Sequence, residues 1–184
     1  AIKSTSNSKL IGLYGRNVDT TNAFAKKFNI YAYYQLNDLL FSPEIDAVYV
    51  ATPHSEHFAH TFQAIKNNKH VLCEKPFTMN AYESMILLDL ANSKNIFLME
   101  AFMYRVHPQT KNILDNLDYL SDVKEKVSIE ASFGFNADVS ETHRLRNPIL
   151  GGGAILDVGC YPLTMAKLIA GHLQGLHFAC LLYT

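Results

Sequence analysis

Lys75, Tyr161 and Asp157 are the residues of this 184-residue chain best placed by type and spacing to move a proton. Lys75 ends the run His70-Val71-Leu72-Cys73-Glu74-Lys75-Pro76, an apolar strand pattern closed by a proline. A cation there lies where open α/β sheets hold ligands, in the crevice beyond the carboxyl ends of the strands. Pro76 fixes the turn, and Glu74 offers a charge partner one residue away. An ammonium can donate hydrogen bonds and lower the pKa of a neighbouring acid. The plainer reading of Lys75 is a surface charge at a strand-to-loop junction. Asp157 precedes Tyr161 by four residues, so on a helix the two share a face. A phenol of pKa ~10 needs a nearby cation to exchange its proton at neutral pH, and Lys75 is the candidate. The plainer reading of Tyr161 is a packed aromatic before Pro162.

His54, His57 and His60 form an H-x-x-H-x-x-H pattern. Only His57 and His60 can share one helix face, and no H-E-x-x-H or cysteine pair accompanies them, so no metal site is expected. Arg16 closes a short apolar run, Lys9–Tyr14, and no acid occupies residues 10–18; Asp19 is the nearest. An acid at such a strand end reads the ribose of NAD, whereas an arginine accommodates the 2′-phosphate of NADP. Gly151-Gly152-Gly153 before a helix is either a phosphate cradle or a flexible entry to a substrate pocket, and the second is favoured. Other chemistries fail on spacing. There is no G-x-x-x-x-G-K-[ST] and no G-x-S-x-G, and Met165 stands where a Tyr-x-x-x-Lys pair would need its lysine.

The elements that must carry these residues alternate between strand and helix. A strand over 9–14 leads to a helix with Phe24 and Phe28 on its buried face, then to a short helix over 35–41 broken by Pro43. Val48, Tyr49, Val50 and Ala51 form a near-continuous apolar run, as in a parallel strand covered on both faces. Phe58, Phe62 and Ile65 recur at helical spacing, His70–Cys73 reads as the next strand, and Asn80 with Glu83 opens a helix to about Asn92. A strand over Ile96–Met99 ends the series. Beyond residue 107 the pattern changes. Pro108 starts a helix whose apolar face is Ile113, Leu114 and Leu117, and Val127–Phe135 alternates strictly, as in an antiparallel strand with one wet face. The boundary between the two patterns falls near residue 102.

Composition narrows the class. A chain with 48% hydrophobic and 18% charged residues can build a sizeable globular core. A net charge of −1 gives no electrostatic case for nucleic acid or an anionic membrane. No apolar run approaches ~20 residues, so no membrane span is expected. Three cysteines, Cys73, Cys160 and Cys180, without C-x-x-C spacing suit reduced thiols and a cytoplasmic protein.

The runs ATPHSEH, HVLCEKPF, MEAFMYRVHPQ and GGGAILDVGCYPL, in this order, resemble the glucose–fructose oxidoreductase/inositol dehydrogenase family (Gfo/Idh/MocA), and within it the dihydrodiol and D-xylose dehydrogenase branch. The resemblance runs from about residue 1 to about 171. It implies an α/β fold: a partial Rossmann-type parallel sheet, without its first strand and glycine loop, in residues 1–101. The start of an α+β domain with a largely antiparallel, open-faced sheet follows in residues 102–184, a partial substrate and dimerisation domain. No G-x-G-x-x-G occurs in the chain, and Leu173–Thr184 has no family counterpart, so an incomplete member is expected.

The resemblance also implies roles. Lys75 touches the cofactor ribose and the reacting hydroxyl, Tyr161 is the acid/base where many members carry histidine, and Asp157 is its orienter. Ala51, Thr52, Pro53, His54, His57, Glu74, Arg16 and Arg105 line the cofactor. The cofactor is NADP, with NAD as the alternative. The substrate is a sugar, polyol or dihydrodiol rather than nucleic acid or membrane, and the assembly is a homo-oligomer. The competing reading is a non-catalytic remnant with weak or no nucleotide binding.

Overall fold

A computed structural model describes residues 2–117 and 128–172. Its regular elements are β1 (Gly12–Tyr14), α1 (Val18–Phe28), β2 (Tyr31–Tyr33), α2 (Leu36–Phe41), β3 (Ala47–Val50), α3 (His57–Lys66), β4 (His70–Cys73), α4 (Ala81–Ser93), β5 (Leu98–Glu100), α5 (Pro108–Asp115) and α6 (Cys160–His172). Every strand pairing is parallel: β1 with β2, and β3-β4-β5 in a second sheet. Parallel neighbours need a crossover, and α1, α3 and α4 supply it. Among the described residues no ladder joins the two sheets. β2 was not foreseen, because Tyr31-Ala32-Tyr33 is too short to show a period.

Local chemistry sets the helix ends. Asn17 caps α1 by accepting from the Thr20 N–H, and Asn29 ends it in the left-handed region at φ 49°. Asn80 accepts from the Glu83 N–H while the Glu83 carboxylate accepts from Met79, a reciprocal cap displaced by one residue from the usual box. Pro108 occupies the first turn of α5. Leu40, Ala64, Ile65, Val71, Cys73 and Leu87 form the centre of the core, between α2, α3 and α4 and the β3-β4-β5 sheet.

Several expectations are corrected. β3 is not covered on both faces: burial alternates along β3 and β4, and Tyr49 (47% exposed) and Leu72 project from an open face. On α1 the buried residues are Thr21 and Ala25, while Phe24 is exposed and leans on Phe28 with ring centroids 4.5 Å apart. Ile113 of α5 is likewise exposed. Residues 128–135 form no strand, and Val127 lies outside the described residues. A strand is held by its ladder, and no described strand lies beside this segment to supply one. Finally, Pro148–Gly171 is a 24-residue helical stretch long and apolar enough to cross a membrane by length and composition alone. Asp157 and Lys167 are its only charged residues. Only 11% of the apolar window is buried, unlike a core helix, but Asp157 is committed to an ion pair with Lys75.

Candidate active site

The carboxyl ends of β3 and β4 open onto one cluster. β4 ends at Cys73, and Lys75 follows with a cis peptide to Pro76. The Lys75 ammonium donates to the backbone oxygen of Asp157 and, at 3.2 Å, to its carboxylate. The two side chains are only 15% and 11% exposed. Asp157 sits in a π-helical turn, Ile155–Gly159, that leads into α6. Such turns recur at functional sites. This one alters the i, i+4 relation expected between Asp157 and Tyr161: the carboxylate meets Lys75 rather than the phenol. Arg144 adds a second, longer contact to the same carboxylate at 3.7 Å.

Tyr161 lies against the other side of Lys75, whose Nζ stands 5.1 Å from the ring centroid. Phe102, Tyr104 and Phe133 surround the ring at 5.4, 6.1 and 5.2 Å. Among the described residues the hydroxyl's one hydrogen-bond partner is the Met103 sulfur, at 3.7 Å. Its pKa is raised, by burial first and then by Cys160, Glu74, Asp157 and Tyr104. This corrects the expectation that Lys75 lowers it. The ammonium lies over the ring face instead of beside the oxygen, and its charge is already engaged by Asp157.

Glu74 does not pair with the Lys75 ammonium either. It accepts a short hydrogen bond from the Tyr49 hydroxyl across the β3–β4 register, and a second from the Lys75 backbone N–H at 3.2 Å. Tyr49 is accordingly pushed up to about 12, by burial first and then by the Glu74 carboxylate.

Ala51, Thr52, Pro53 and His54 form the loop that leaves β3. His54 is buried, and its Nδ1 meets the Gly151 carbonyl at 2.9 Å. Its pKa is lowered, chiefly by burial and against the pull of that carbonyl. Gly151 adopts φ 79°, and a Cβ there would stand 2.7 Å from the His54 Cβ and 2.6 Å from the Met79 sulfur. Only glycine permits this approach. His57 is fully enclosed, with its ring nitrogens facing the Pro76 and Thr52 carbonyls, so any part it plays in holding a ligand is indirect. No cluster of metal-binding side chains occurs among the described residues.

Two residues stand apart from this cluster. Arg16 is exposed just after β1, with no hydrogen bond or ion pair among the described residues. Arg105 opens onto a cavity of about 470 Å³ with Leu114, Thr164 and Lys167, whose lining includes neither Lys75 nor Tyr161. A larger cavity than that one, about 610 Å³, lies beside β1 and β2 with Lys9, Tyr31, Asp38 and Glu44 in its walls.

Residues 1–102 match the oxidoreductase family with an NAD-binding Rossmann fold (Gfo/Idh/MocA). The chain belongs to this family. It is 37% identical to the NADP-dependent D-xylose 1-dehydrogenase of Hypocrea jecorina over 95% of its length and 45% of that protein's. It is 34% identical to the trans-1,2-dihydrobenzene-1,2-diol dehydrogenase of Xenopus tropicalis over 88% of its length and 48% of that protein's. A point variant of KijD10, a 3-ketoreductase of Actinomadura kijaniata crystallised with TDP-benzene and NADP, superposes with a TM-score of 0.82 at 30% identity, covering 92% of this chain and 51% of that one. The chain thus spans about half the length of the curated relatives it matches.

Six residues of the cluster were not foreseen: Arg144, Phe102, Met103, Tyr104, Phe133 and Tyr49. Arg144, in RLRNPILGGG, had no period or partner to mark it. Phe133 was assigned to a strand face, and Tyr49 to the buried interior of β3. Met103 lies within the MEAFMYR run but carries no titratable group.

Proposed function

We propose that the chain is the cofactor-side portion of an NADP-dependent dehydrogenase that acts on a carbinol carbon of a sugar, polyol or trans-dihydrodiol. One observation carries this reading: Lys75, at the carboxyl end of β4, is held by Asp157 from the far part of the chain, with the Tyr161 ring 5.1 Å from its ammonium. The residues fit the nicotinamide end of NADP. The Thr52–His54 loop and the Lys75–Pro76 turn both lie against His57, and Ser55 Oγ and Tyr104 Oη are buried polar atoms without a partner among the described residues. Arg16 is an exposed cation after β1 with no ion pair among the described residues, suited to a 2′-phosphate. When bound, NADP supplies or accepts the hydride. Lys75 donates a hydrogen bond to the substrate oxygen, Asp157 keeps the ammonium aimed, and Tyr161, whose raised pKa keeps it protonated, gives its proton to that oxygen in the reducing direction. The Phe102, Tyr104 and Phe133 rings hold the Tyr161 ring in place.

On this reading residues 1–101 form the dinucleotide-binding part and 102–184 the start of a substrate and dimerisation domain. The protein is a cytoplasmic homo-oligomer, with NAD as the weaker cofactor.

The test is Lys75→Met in the complete gene product, assayed with D-xylose and trans-dihydrodiols. Turnover is expected to fall by about 10²–10⁴-fold in protein that still folds, with a lowered melting temperature because Asp157 keeps only the longer contact to Arg144. Activity within about tenfold of the parent protein overturns the assignment and leaves a binding remnant as the better reading.

A further inference from the structure

Arg144 is pinned at its backbone and half free at its head. The turn that carries it closes on itself. The Asn147 N–H donates to the His143 carbonyl at 3.0 Å, and the Gly152 and Gly153 N–H groups donate to the carbonyls of Asn147 and Leu145 at 2.9 and 2.8 Å. A Cβ on Gly152 would stand 2.7 Å from the Arg144 carbonyl oxygen, so the chain doubles back directly against this residue. The Gly153 carbonyl in turn accepts from the Asp157 N–H at 3.2 Å. Backbone bonds through Gly153 therefore tie the two ends of the Arg144–Asp157 contact together. Across that contact the guanidinium Nη1 stands 3.7 Å from the same Oδ1 that the Lys75 Nζ meets at 3.2 Å. The Arg144 side chain is 50% exposed and that of Asp157 11%, so the guanidinium reaches the carboxylate from the solvent side. Among the described residues no third cation pairs with Asp157, and the neighbouring acid, Glu74, is turned to Tyr49.

We propose that Arg144 is a positioning residue for Lys75: it shares the Asp157 carboxylate and so keeps the ammonium able to serve the substrate. An ammonium has three N–H donors. The Asp157 backbone oxygen and Oδ1 take two of them, which leaves the third for the substrate oxygen. A mostly buried carboxylate facing a single cation holds it hard, because water screens the pair poorly there. The second cation takes up part of that field, and Lys75 keeps more positive potential at its remaining N–H. Without Arg144 the ammonium becomes the sole counter-ion, drawn more tightly to Asp157 and more fully neutralised by it. The consequence for catalysis rests on the dehydrogenase reading above, whereas the sharing of the carboxylate does not.

Denaturant unfolding of the complete gene product tests the sharing without any turnover. Arg144→Ala is expected to lower the unfolding midpoint more in the Lys75→Met background than in the parent, since Arg144 is then the last counter-ion of a buried charge. Equal shifts in the two backgrounds overturn the sharing. Kinetics test the positioning. Arg144→Ala is expected to lower kcat by about tenfold or more with a smaller change in KM for NADP. Arg144→Lys, or millimolar guanidinium added to Arg144→Ala, should restore most of the loss, and urea, of similar shape but uncharged, should not. An unchanged kcat, or a loss that neither lysine nor guanidinium repairs, overturns the positioning role. An active Lys75→Met variant would sink the dehydrogenase reading and leave the comparison of midpoints to stand by itself.

Discussion

Lys75 and Asp157, 82 residues apart in the chain, meet with Nζ 3.2 Å from Oδ1. Both side chains are mostly buried, so each charge would be poorly solvated without the other. The ammonium also holds the Asp157 backbone oxygen, which ties the turn after β4 to the π-helical entry of α6. Tyr161, four residues further on, is carried to the same cation by that entry. The site therefore draws on segments far apart in the sequence, and the ion pair joins them together with the His54–Gly151 and Phe102–Tyr161 contacts.

Arg16 is expected to set the preference for NADP. Its guanidinium is exposed after β1 and has no ion pair among the described residues, and no acid occupies residues 10–18. A charge-assisted bond to a phosphate contributes about 1.5–3 kcal/mol. Arg16→Ala should thus reduce kcat/KM for NADP by roughly 10–100-fold and leave kcat/KM for NAD nearly unchanged. Steady-state kinetics with both cofactors check this, and a native preference for NAD would point to Asp19 instead.

Tyr161→Phe separates chemistry from packing. Among the described residues the hydroxyl bonds to the Met103 sulfur alone, while the ring keeps Phe102, Phe133 and Lys75 as neighbours. Loss of the oxygen is expected to change stability by no more than about 0.5 kcal/mol and to lower kcat by about 10²–10⁴-fold. Denaturant melts alongside carbonyl-reduction kinetics give both quantities. Retained turnover would mean that the Lys75 ammonium moves the proton without the phenol.

The parallel half-sheet was legible because its period and breakers are local: Asn80 with Glu83, Pro43 and the Phe58–Phe62–Ile65 spacing all act within a few residues. Lys75 was legible for the same reason, as a cation at the end of an apolar run. Its partner was not. Glu74, one residue away, is the acid that proximity in sequence suggests, yet the β3–β4 register delivers Glu74 to Tyr49 and leaves Lys75 to Asp157. Tertiary contacts of this kind leave no period in the chain. The strand expected over Val127–Phe135 failed in the opposite way. Its alternation is real, but alternation needs a partner strand to become a ladder, and Phe133 instead packs on Tyr161.

Tyr49 should be a late-titrating phenol. Its hydroxyl donates to Glu74, and its pKa is pushed up to about 12. An unfolded tyrosine releases its proton near pH ~10, so between that value and about 12 the folded chain holds one proton more than the unfolded chain. Stability must fall as pH rises through this window. Ultraviolet difference titration should show one phenol ionising after the others, and Tyr49→Phe should remove that step and flatten the alkaline loss of stability. An unchanged titration curve in the variant would mean that Glu74 does not hold this hydroxyl in solution.

Gly151→Ala tests whether the far segment is seated on the site. Gly151 has φ 79°, and its carbonyl accepts from, or faces, His54 Nδ1 at 2.9 Å. An added Cβ would meet the His54 Cβ at 2.7 Å and the Met79 sulfur at 2.6 Å. Met79 can swing its flexible thioether aside, but the His54 Cβ is fixed to the loop backbone, so the loop itself must move. Left-handed backbone also costs an alanine about 1 kcal/mol, and the clash should bring the total destabilisation to roughly 1–3 kcal/mol. His54 then loses the carbonyl that draws its pKa up against burial. Its ring should either titrate lower still if it stays enclosed or return towards the ordinary ~6.5 if the loop opens to water. Proton NMR of the His54 ring across pH, read with the melting temperature, tells these two apart. A variant with parental stability and an unmoved His54 would show that Gly151 does not lie against this loop.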